Sequence, residues 1–365
     1  MTFSVSIDVK ALKRENLPVN VRLATEPPFH RCVQAGFSTC GTVAAGWIEP
    51  IRHNSGMPRI FRRSDLDAMG LTPRKIGRLL KRGTLQHVSH GWYASNGADE
   101  TLVLAARTHT RVGCLSAAQF HGLWVPKPRL GFDGKPHPIG TMTSYIPTRY
   151  GPPSEMHVLV NKHESSSEVR DRVRKVTGGR TKACVHRQQG DKGQLIASVE
   201  EAIEQVVRCH DWETALIVIE SALHLKKVSE AWVLAMLERL PRTRAKKLHA
   251  FQLGSESGTE TRVAHYLRSR GLQVRQQVAL TPDIRVDALV GQSLVVESDS
   301  FEYHGSRDAY VKDRWRAGAI EKLGYNVVSL SYEQVWDYWN ATTRMLNSLI
   351  DQRKHLRTVR DWFGD

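Results

Sequence analysis

Between residues 59 and 97 the apolar positions first repeat with helical spacing and then alternate as they do in strands. The pattern predicts a short helix beginning near Ser64 and a second helix from an N-cap at Thr72 to a stop at Gly83. The second helix has a buried stripe spaced i, i+3 and i+4, made of Ile76, Leu79 and Leu80. Two short extended runs around the turn at Ser89–Gly91 then predict a hairpin.

Helix, helix and hairpin in this order are typical of a winged helix-turn-helix, in which the second helix enters the DNA major groove. The polar face of the second helix is basic, and a histidine follows in the hairpin turn. The candidate DNA-binding residues are Arg74, Lys75, Arg78, Lys81, Arg82 and His90. A solvated basic helix face is the alternative for an isolated helix, but the surrounding caps and hairpin favour DNA binding.

The rest of the chain predicts a mixed α/β fold. Residues 98–240 read as an α/β middle domain, with an alternating strand in MHVLVN and two helices with thick apolar faces. The basic, proline-containing stretch 241–254 is predicted to be a linker. Residues 1–58 form an irregular extension in this scheme, and 346–365 form a helix or tail.

Residues 255–345 predict a unit of the order α-β-β-α-β. Its first helix begins at Ser257, and the strands IRVDALV (284–290) and LVVESD (294–299) are joined by a short turn. Alternation gives a register that pairs residue 290 with 294 and residue 288 with 296. That register sets Asp287 opposite Glu297 and Asp299 opposite Arg285.

Two carboxylates held face to face repel each other unless a cation lies between them. Asp287 with Glu297 or Asp299 is therefore the predicted site of a hard divalent ion, Mg²⁺ or Mn²⁺. Glu260 lies on the inward stripe of the first helix and completes the set, although its position three residues after Ser257 also suits a capping box. Asp313 lies on a helix stripe that can face the sheet.

Composition and charge point to a polyanionic partner. The chain has 365 residues with 52 Lys and Arg against 37 Asp and Glu, a formal net charge of +15. A 41% hydrophobic content excludes a collagen, a coiled-coil rod and a wholly disordered chain. No membrane-spanning stretch or secretory signal is expected. Five widely spaced cysteines fit a reducing cytoplasm, in a nucleoid-associated protein, and are expected to be free thiols without metal.

Two families resemble parts of the chain. Glu260, VDALV, VVESDSFEYH and DAYVKDRWR resemble the very-short-patch-repair-like endonuclease domain, a branch of the PD-(D/E)XK fold. The resemblance implies a catalytic set of Glu260, Asp287, Glu297, Asp299, His304 and Asp313, with His304 as the candidate general acid or base. Residues 59–240, with LSAAQFHGLW and MHVLVN, resemble AbiEi-type antitoxins, which join a winged helix-turn-helix to an α/β body.

The leading hypothesis is therefore a protein that binds double-stranded DNA and cleaves it with a Mg²⁺-dependent endonuclease domain, in a setting such as phage defence. A second hypothesis is a transcriptional regulator whose nuclease-like domain is catalytically inactive. A third is an antitoxin that acts through a toxin-like protein partner. The intact acidic set favours cleavage.

Overall fold

The computed structural model describes residues 60–126, 155–188, 194–299 and 307–359, and it describes the side chains of these residues except Asp299 and 307–313. The described part mixes helices with three small sheets, which is the predicted mixed α/β class. All of it belongs to one compact unit, 54–365. None of the described helices combines the length and the apolar character needed to cross a membrane.

The first three-stranded sheet is antiparallel, with the order β1-β3-β2. Its elements are β1 (Ile60–Arg62), α1 (Arg63–Ala68), α2 (Pro73–Lys81), β2 (Leu85–Ser89) and β3 (Trp92–Ser95). Helix α2 begins as predicted, because the Thr72 hydroxyl accepts the N–H of Lys75 at 3.4 Å. The helix ends at Gly83, which has a φ of +67°, and the hairpin turns at Gly91, which has a φ of +75°. Strand β1, which the sequence did not predict, pairs with β3.

The second sheet has the order β4-β5-β6, with β5 and β6 parallel. Its elements are α3 (Glu100–Arg107), β4 (Arg111–Val112), α4 (Cys114–Phe120), β5 (Glu155–Val160), α5 (Ser166–Thr177) and β6 (Lys182–Arg187). Helix α5 connects the two parallel strands, as a parallel pair requires. Its buried stripe, Val169 and Val173, packs with Met156 and Val158 of the strand predicted in MHVLVN.

Four helices follow and build an apolar cluster around α7. They are α6 (Val199–Cys209), α7 (Trp212–His224), α8 (Glu230–Glu238) and α9 (Arg242–Leu248). Residues 214–223 of α7 are all buried, so this helix is a central one. The stretch 241–254, interpreted from the sequence as a basic linker, contains α9 and buries Leu248 and Phe251 in the same cluster.

The third sheet has four strands in the order β10-β9-β8-β7, with β10 parallel to β9 and the other pairs antiparallel. Its elements are α10 (Gly258–Ser269), β7 (Val274–Thr281), β8 (Ile284–Val290), β9 (Leu294–Asp299), α11 (Arg307–Lys322), β10 (Asn326–Ser331), α12 (Tyr332–Trp336) and α13 (Trp339–Asp351). The predicted order α-β-β-α-β lacked β7, so the observed order is α-β-β-β-α-β.

The predicted register of β8 on β9 is confirmed where the two strands pair. Val290 pairs with Leu294 and Ala288 with Val296. One face of the sheet carries Ala288 and Val290 against α10, and Ile217 of α7 joins that cluster. The other face packs on Ile320 of α11. The sheet is thus covered on both sides by apolar clusters, so the acidic side chains within β8 and β9 stand out as candidates for chemistry.

Candidate functional site

Asp287 lies at the point where β8 and β9 stop pairing. The last pair is Ala288 with Val296, and beyond it one carboxylate oxygen of Asp287 accepts the backbone N–H of Ser298 at 2.8 Å. The described ladder ends one residue before Asp287 and Glu297, so their predicted pairing stays a prediction; the contact that the structure gives Asp287 on β9 is the hydrogen bond from Ser298. Burial raises the pKa of Asp287, and the Ser298 N–H and the charge of Arg316 oppose that rise.

Glu297 is held by a cation from the covering helix. The guanidinium of Arg316 on α11 donates to Glu297 Oε2 at 2.7 Å and also donates to the carbonyl oxygen of Arg285. The prediction that Asp299 lies opposite Arg285 is not tested, because the side chain of Asp299 lies outside the described residues; Arg285 forms a two-pronged ion pair with Glu256 at 2.9 and 3.2 Å. Helix α11 thus supplies the countercharge that the strand alternation could not reveal.

Glu260 is buried in the first turn of α10 and accepts three hydrogen bonds. Its Oε1 accepts from the Ser257 hydroxyl at 2.8 Å, and its Oε2 accepts from the Glu256 N–H at 3.0 Å and from Gln277 Nε2 at 2.9 Å. Burial, with a further contribution from the negative charge of Asp287, raises the pKa of Glu260 to about 7. The Ser257 hydroxyl also accepts the N–H of Glu260, so the N-cap foreseen at Ser257 is present.

Gln277 joins Glu260 to the sheet. It has a positive φ of +52°, and the pairs on either side of it, Gln276 with Ala288 and Val278 with Val286, place it beside Asp287. Gln277 on β7, Asp287 on β8 and Glu297 on β9 thus lie on three neighbouring strands, and together with Glu260 we call these residues the acidic row. Carboxylate oxygens of this kind are the donors that Mg²⁺ and Mn²⁺ prefer.

The described side chains do not by themselves complete a metal-binding set here. No three carboxylate, histidine or cysteine ligand atoms of the described residues come within 4.8 Å of one another along the row. The other predicted members are Asp299, His304 and Asp313, and their side chains lie outside the described residues. The donor chemistry of Asp287 and Glu297 fits a hard cation, and the full ligand set stays a prediction.

The predicted DNA-binding residues share one property, which is exposure to solvent. They are Arg74, Lys75, Arg78, Lys81, Arg82 and His90. Ile76 and Leu79 anchor the opposite face of α2 in the core. No ion pair within the described ranges engages these six side chains, so the positive charges of the five Arg and Lys residues face solvent.

Two groups of residues escaped the sequence reasoning. Trp315, beside Arg316 on α11, is 77% exposed. The sequence could have predicted this exposure only if it showed which face of α11 packs on the sheet. The second group is a buried cluster of one cysteine and three histidines in the middle of the chain, namely Cys114, His157, His186 and His210. Burial lowers the pKa of His186 and of His210 to about 4 and raises that of the Cys114 thiol.

Comparison with known proteins assigns no family, since no protein-family model matches the chain and no curated protein matches it.

Proposed function

We propose that this protein binds double-stranded DNA through a winged helix-turn-helix formed by residues 59–97 and cleaves it with a Mg²⁺- or Mn²⁺-dependent endonuclease domain formed by residues 255–345. The observation that carries the proposal is the acidic row: Asp287 on β8 accepts the N–H of Ser298 on β9, and Glu297 precedes Ser298 on that strand. Glu260 lies close enough for the charge of Asp287 to act on it. Glu260 and Glu297 are buried and Asp287 is half-buried, and such a concentration of carboxylates is costly for folding and is typical of functional sites.

Asp287 and Glu297 are the residues that would hold the cation, with Asp299 as the further predicted ligand. A bound Mg²⁺ would supply an activated water and neutralise charge on the phosphate. Glu260 sits at the end of the row, where its carboxyl group, with a pKa of about 7, can hold or release a proton near neutral pH. His304 and Asp313 remain predicted members of the site.

Arg316 has a defined part in this arrangement. Its guanidinium fixes Glu297 from the side of α11 and reaches the backbone at Arg285. A cation bound by Glu297 would share this carboxylate with Arg316, and a guanidinium beside the metal can also contact a phosphate oxygen. The exposed ring of Trp315, the next residue, offers a surface on which an unpaired base can stack.

The DNA-binding half of the proposal rests on the outward-facing cations of α2. Five of them lie in one helix and its cap, beside a two-stranded hairpin. A helix with this charge suits the phosphate-lined major groove, and the hairpin suits the flanking backbone.

The second candidate is a regulator whose C-terminal domain is a scaffold. The Arg316–Glu297 ion pair and the Ser298 N–H on Asp287 support it, because each carboxylate already has a protein donor. Partly buried ion pairs of this kind occur in structural roles, so the two candidates differ in whether Asp287 is needed for chemistry or only for folding.

The test is plasmid cleavage by the full chain with Mg²⁺, with Mn²⁺ and with neither. We expect metal-dependent cleavage that Asp287→Asn and Glu297→Gln abolish. The matched control is Asp283→Asn, which removes an exposed carboxylate from the turn just before β8 and should leave cleavage unchanged.

Circular dichroism of each variant shows whether it is folded. Each variant should still bind DNA, because α2 lies beside the first sheet and the changed residues lie on or next to the third. Folded wild-type protein that binds DNA but fails to cut with either metal would favour the scaffold. Equal cleavage by wild type and Asp287→Asn would mean that the acidic row is not the nuclease site.

A further inference from the structure

A cysteine and three histidines converge inside the middle of the chain, on elements separate from those of the acidic row. Cys114 is the first residue of α4, His157 lies on β5, His186 lies on β6, and His210 is the C-cap of α6. The four ligand atoms, one sulfur and three ring nitrogens, all lie within 4.8 Å of one another. Four separate elements therefore aim their metal-binding atoms at one point.

The closest distances in the cluster are near those of a tetrahedral metal site. Cys114 Sγ lies 3.2 Å from His210 Nε2, and His157 Nδ1 lies 3.0 Å from His186 Nε2. With bonds of about 2.0 Å to nitrogen and about 2.3 Å to sulfur, tetrahedral ligands lie about 3.3 to 3.6 Å apart. Small side-chain shifts would thus suffice to surround an ion.

The backbone around Cys114 is held in an unusual conformation that points its side chain into the cluster. Cys114 has a φ of +49°, which is costly for a residue with a side chain. Its N–H donates to Gln205 Oε1 at 2.7 Å, and the preceding Gly113 donates to the carbonyl oxygen of His157 at 2.9 Å. The Ser116 hydroxyl accepts the N–H of His157 at 3.0 Å, so α4 and β5 are locked together beside the four ligands.

The alternative is a hydrogen-bonded cluster without an ion, with one bond between His157 and His186 and one between the thiol and His210. Two separate pairs would satisfy these groups without drawing all four atoms together. Nearly complete burial of Cys114, His157 and His186 also leaves no open position for a substrate. A closed set of four nitrogen and sulfur ligands is characteristic of structural zinc.

We propose that Cys114, His157, His186 and His210 form a structural zinc site that ties α4, β5, β6 and α6 together. This inference is independent of the proposed nuclease function, and it replaces the expectation that all five cysteines are free of metal. A second, three-membered set, Glu155, His157 and Cys184, shares His157 and offers one ligand fewer. Soft and borderline donors favour zinc over Mg²⁺ here, so the site does not belong to the acidic row.

The test is elemental analysis of the full chain, purified without an affinity tag and dialysed, followed by replacement of the metal with Co²⁺. We expect one zinc ion per chain and, after replacement, the strong visible bands of tetrahedral cobalt with a sulfur-to-cobalt charge-transfer band. Removing the ion with a chelator should lower the melting temperature, and added zinc should restore it by mass action.

Variants distinguish this set from the alternatives. Cys114→Ser should abolish the charge-transfer band and most of the bound zinc, whereas Cys184→Ser and Cys209→Ser, which remove thiols outside the set, should retain both. His210→Gln is the second variant, because this half-buried residue at a helix end is the ligand whose replacement disturbs packing least. A protein without zinc, whose melting temperature ignores zinc and chelator, would overturn the proposal. So would zinc that survives Cys114→Ser and His210→Gln but disappears in Cys184→Ser.

Discussion

Replacing Glu260 by Gln should change how stability depends on pH. The free energy of unfolding of the variant, minus that of wild type, should be larger at alkaline pH than at acid pH. Glu260 is 9% exposed, and its pKa rises from an ordinary value of 4.5 to about 7. Such a difference corresponds to about 3 kcal/mol of unfolding free energy, because each tenfold change in proton affinity is worth about 1.4 kcal/mol.

The direction follows from which state holds the proton. Below pH 4.5 both the folded and the unfolded chain carry the proton on Glu260. Between 4.5 and about 7 the folded chain keeps a proton that the unfolded chain has lost, so rising pH removes stability. Above about 7 the loss is complete. The amide introduced by Glu260→Gln does not ionise, so the variant escapes this loss and should gain up to about 3 kcal/mol on wild type between acid and alkaline pH.

Urea-induced unfolding, followed by circular dichroism across this pH range, measures the difference between the two proteins. The control is Glu256→Gln, which removes an exposed neighbouring carboxylate whose ion pair with Arg285 is worth at most about 1 kcal/mol. A difference between wild type and Glu260→Gln that stays constant with pH would refute the argument that burial and Asp287 hold the proton on Glu260.

Three further changes test other parts of the molecule. Changing Arg74, Arg78 and Lys81 together to Ala should reduce the slope of DNA affinity against salt concentration, on logarithmic axes, by about 0.9 per lost phosphate contact. The same change at Arg170, Arg174 and Lys175 of α5 should leave the slope unchanged. Equal slopes for the two variants in filter binding would contradict the assignment of α2. Arg262→Ala should cost about 3–5 kcal/mol by calorimetry, because it leaves Glu213 without its buried cation at 3.2 Å, and adding Glu213→Gln should restore part of the loss; a neutral Arg262→Ala would mean that the pair is not coupled to folding. Trp315→Ala should weaken binding of single-stranded oligonucleotides by about 1–3 kcal/mol in fluorescence titrations, with Tyr338→Ala as the aromatic control, and equal losses in both would count against base stacking on α11.

Local signals were strong enough to predict the parts of the fold that depend on neighbours in sequence. Thr72 and Gly83 delimit α2 because capping and left-handed backbone act within one turn. Alternation predicted the β8–β9 register because the turn between the strands is short and one face of each is apolar. Strand β7 was missed because two adjacent glutamines interrupt its pattern, and Gln277 adopts a positive φ there.

The countercharges and the cluster of Cys114 with three histidines depend on tertiary packing, which a single sequence does not reveal. Arg316 reaches Glu297 only because α11 packs over the face of the sheet that carries it. Cys114 and His210 lie 96 residues apart in the chain, and their side chains meet only once α4, the parallel strands and α6 have assembled. No short spacing of cysteine and histidine marks such a site, in contrast to the motifs of zinc fingers.

The two proposed metal sites differ in chemistry, and this difference decides how either can be tested. The acidic row offers carboxylate oxygens and suits a hard ion that exchanges readily, whereas the Cys114 cluster offers nitrogen and sulfur and suits zinc. A strong chelator would remove both ions, so loss of cleavage in its presence cannot by itself identify the catalytic metal. Because the cluster joins four elements near the α/β sheet, its loss would act through folding of the whole unit. Cleavage that returns with Mg²⁺ alone would agree with a hard-ion site such as the acidic row, and the Asp287→Asn variant then tests whether that row is the site. Cleavage that also requires zinc, and that Cys114→Ser lowers together with the melting temperature, would agree with a zinc ion that stabilises the fold.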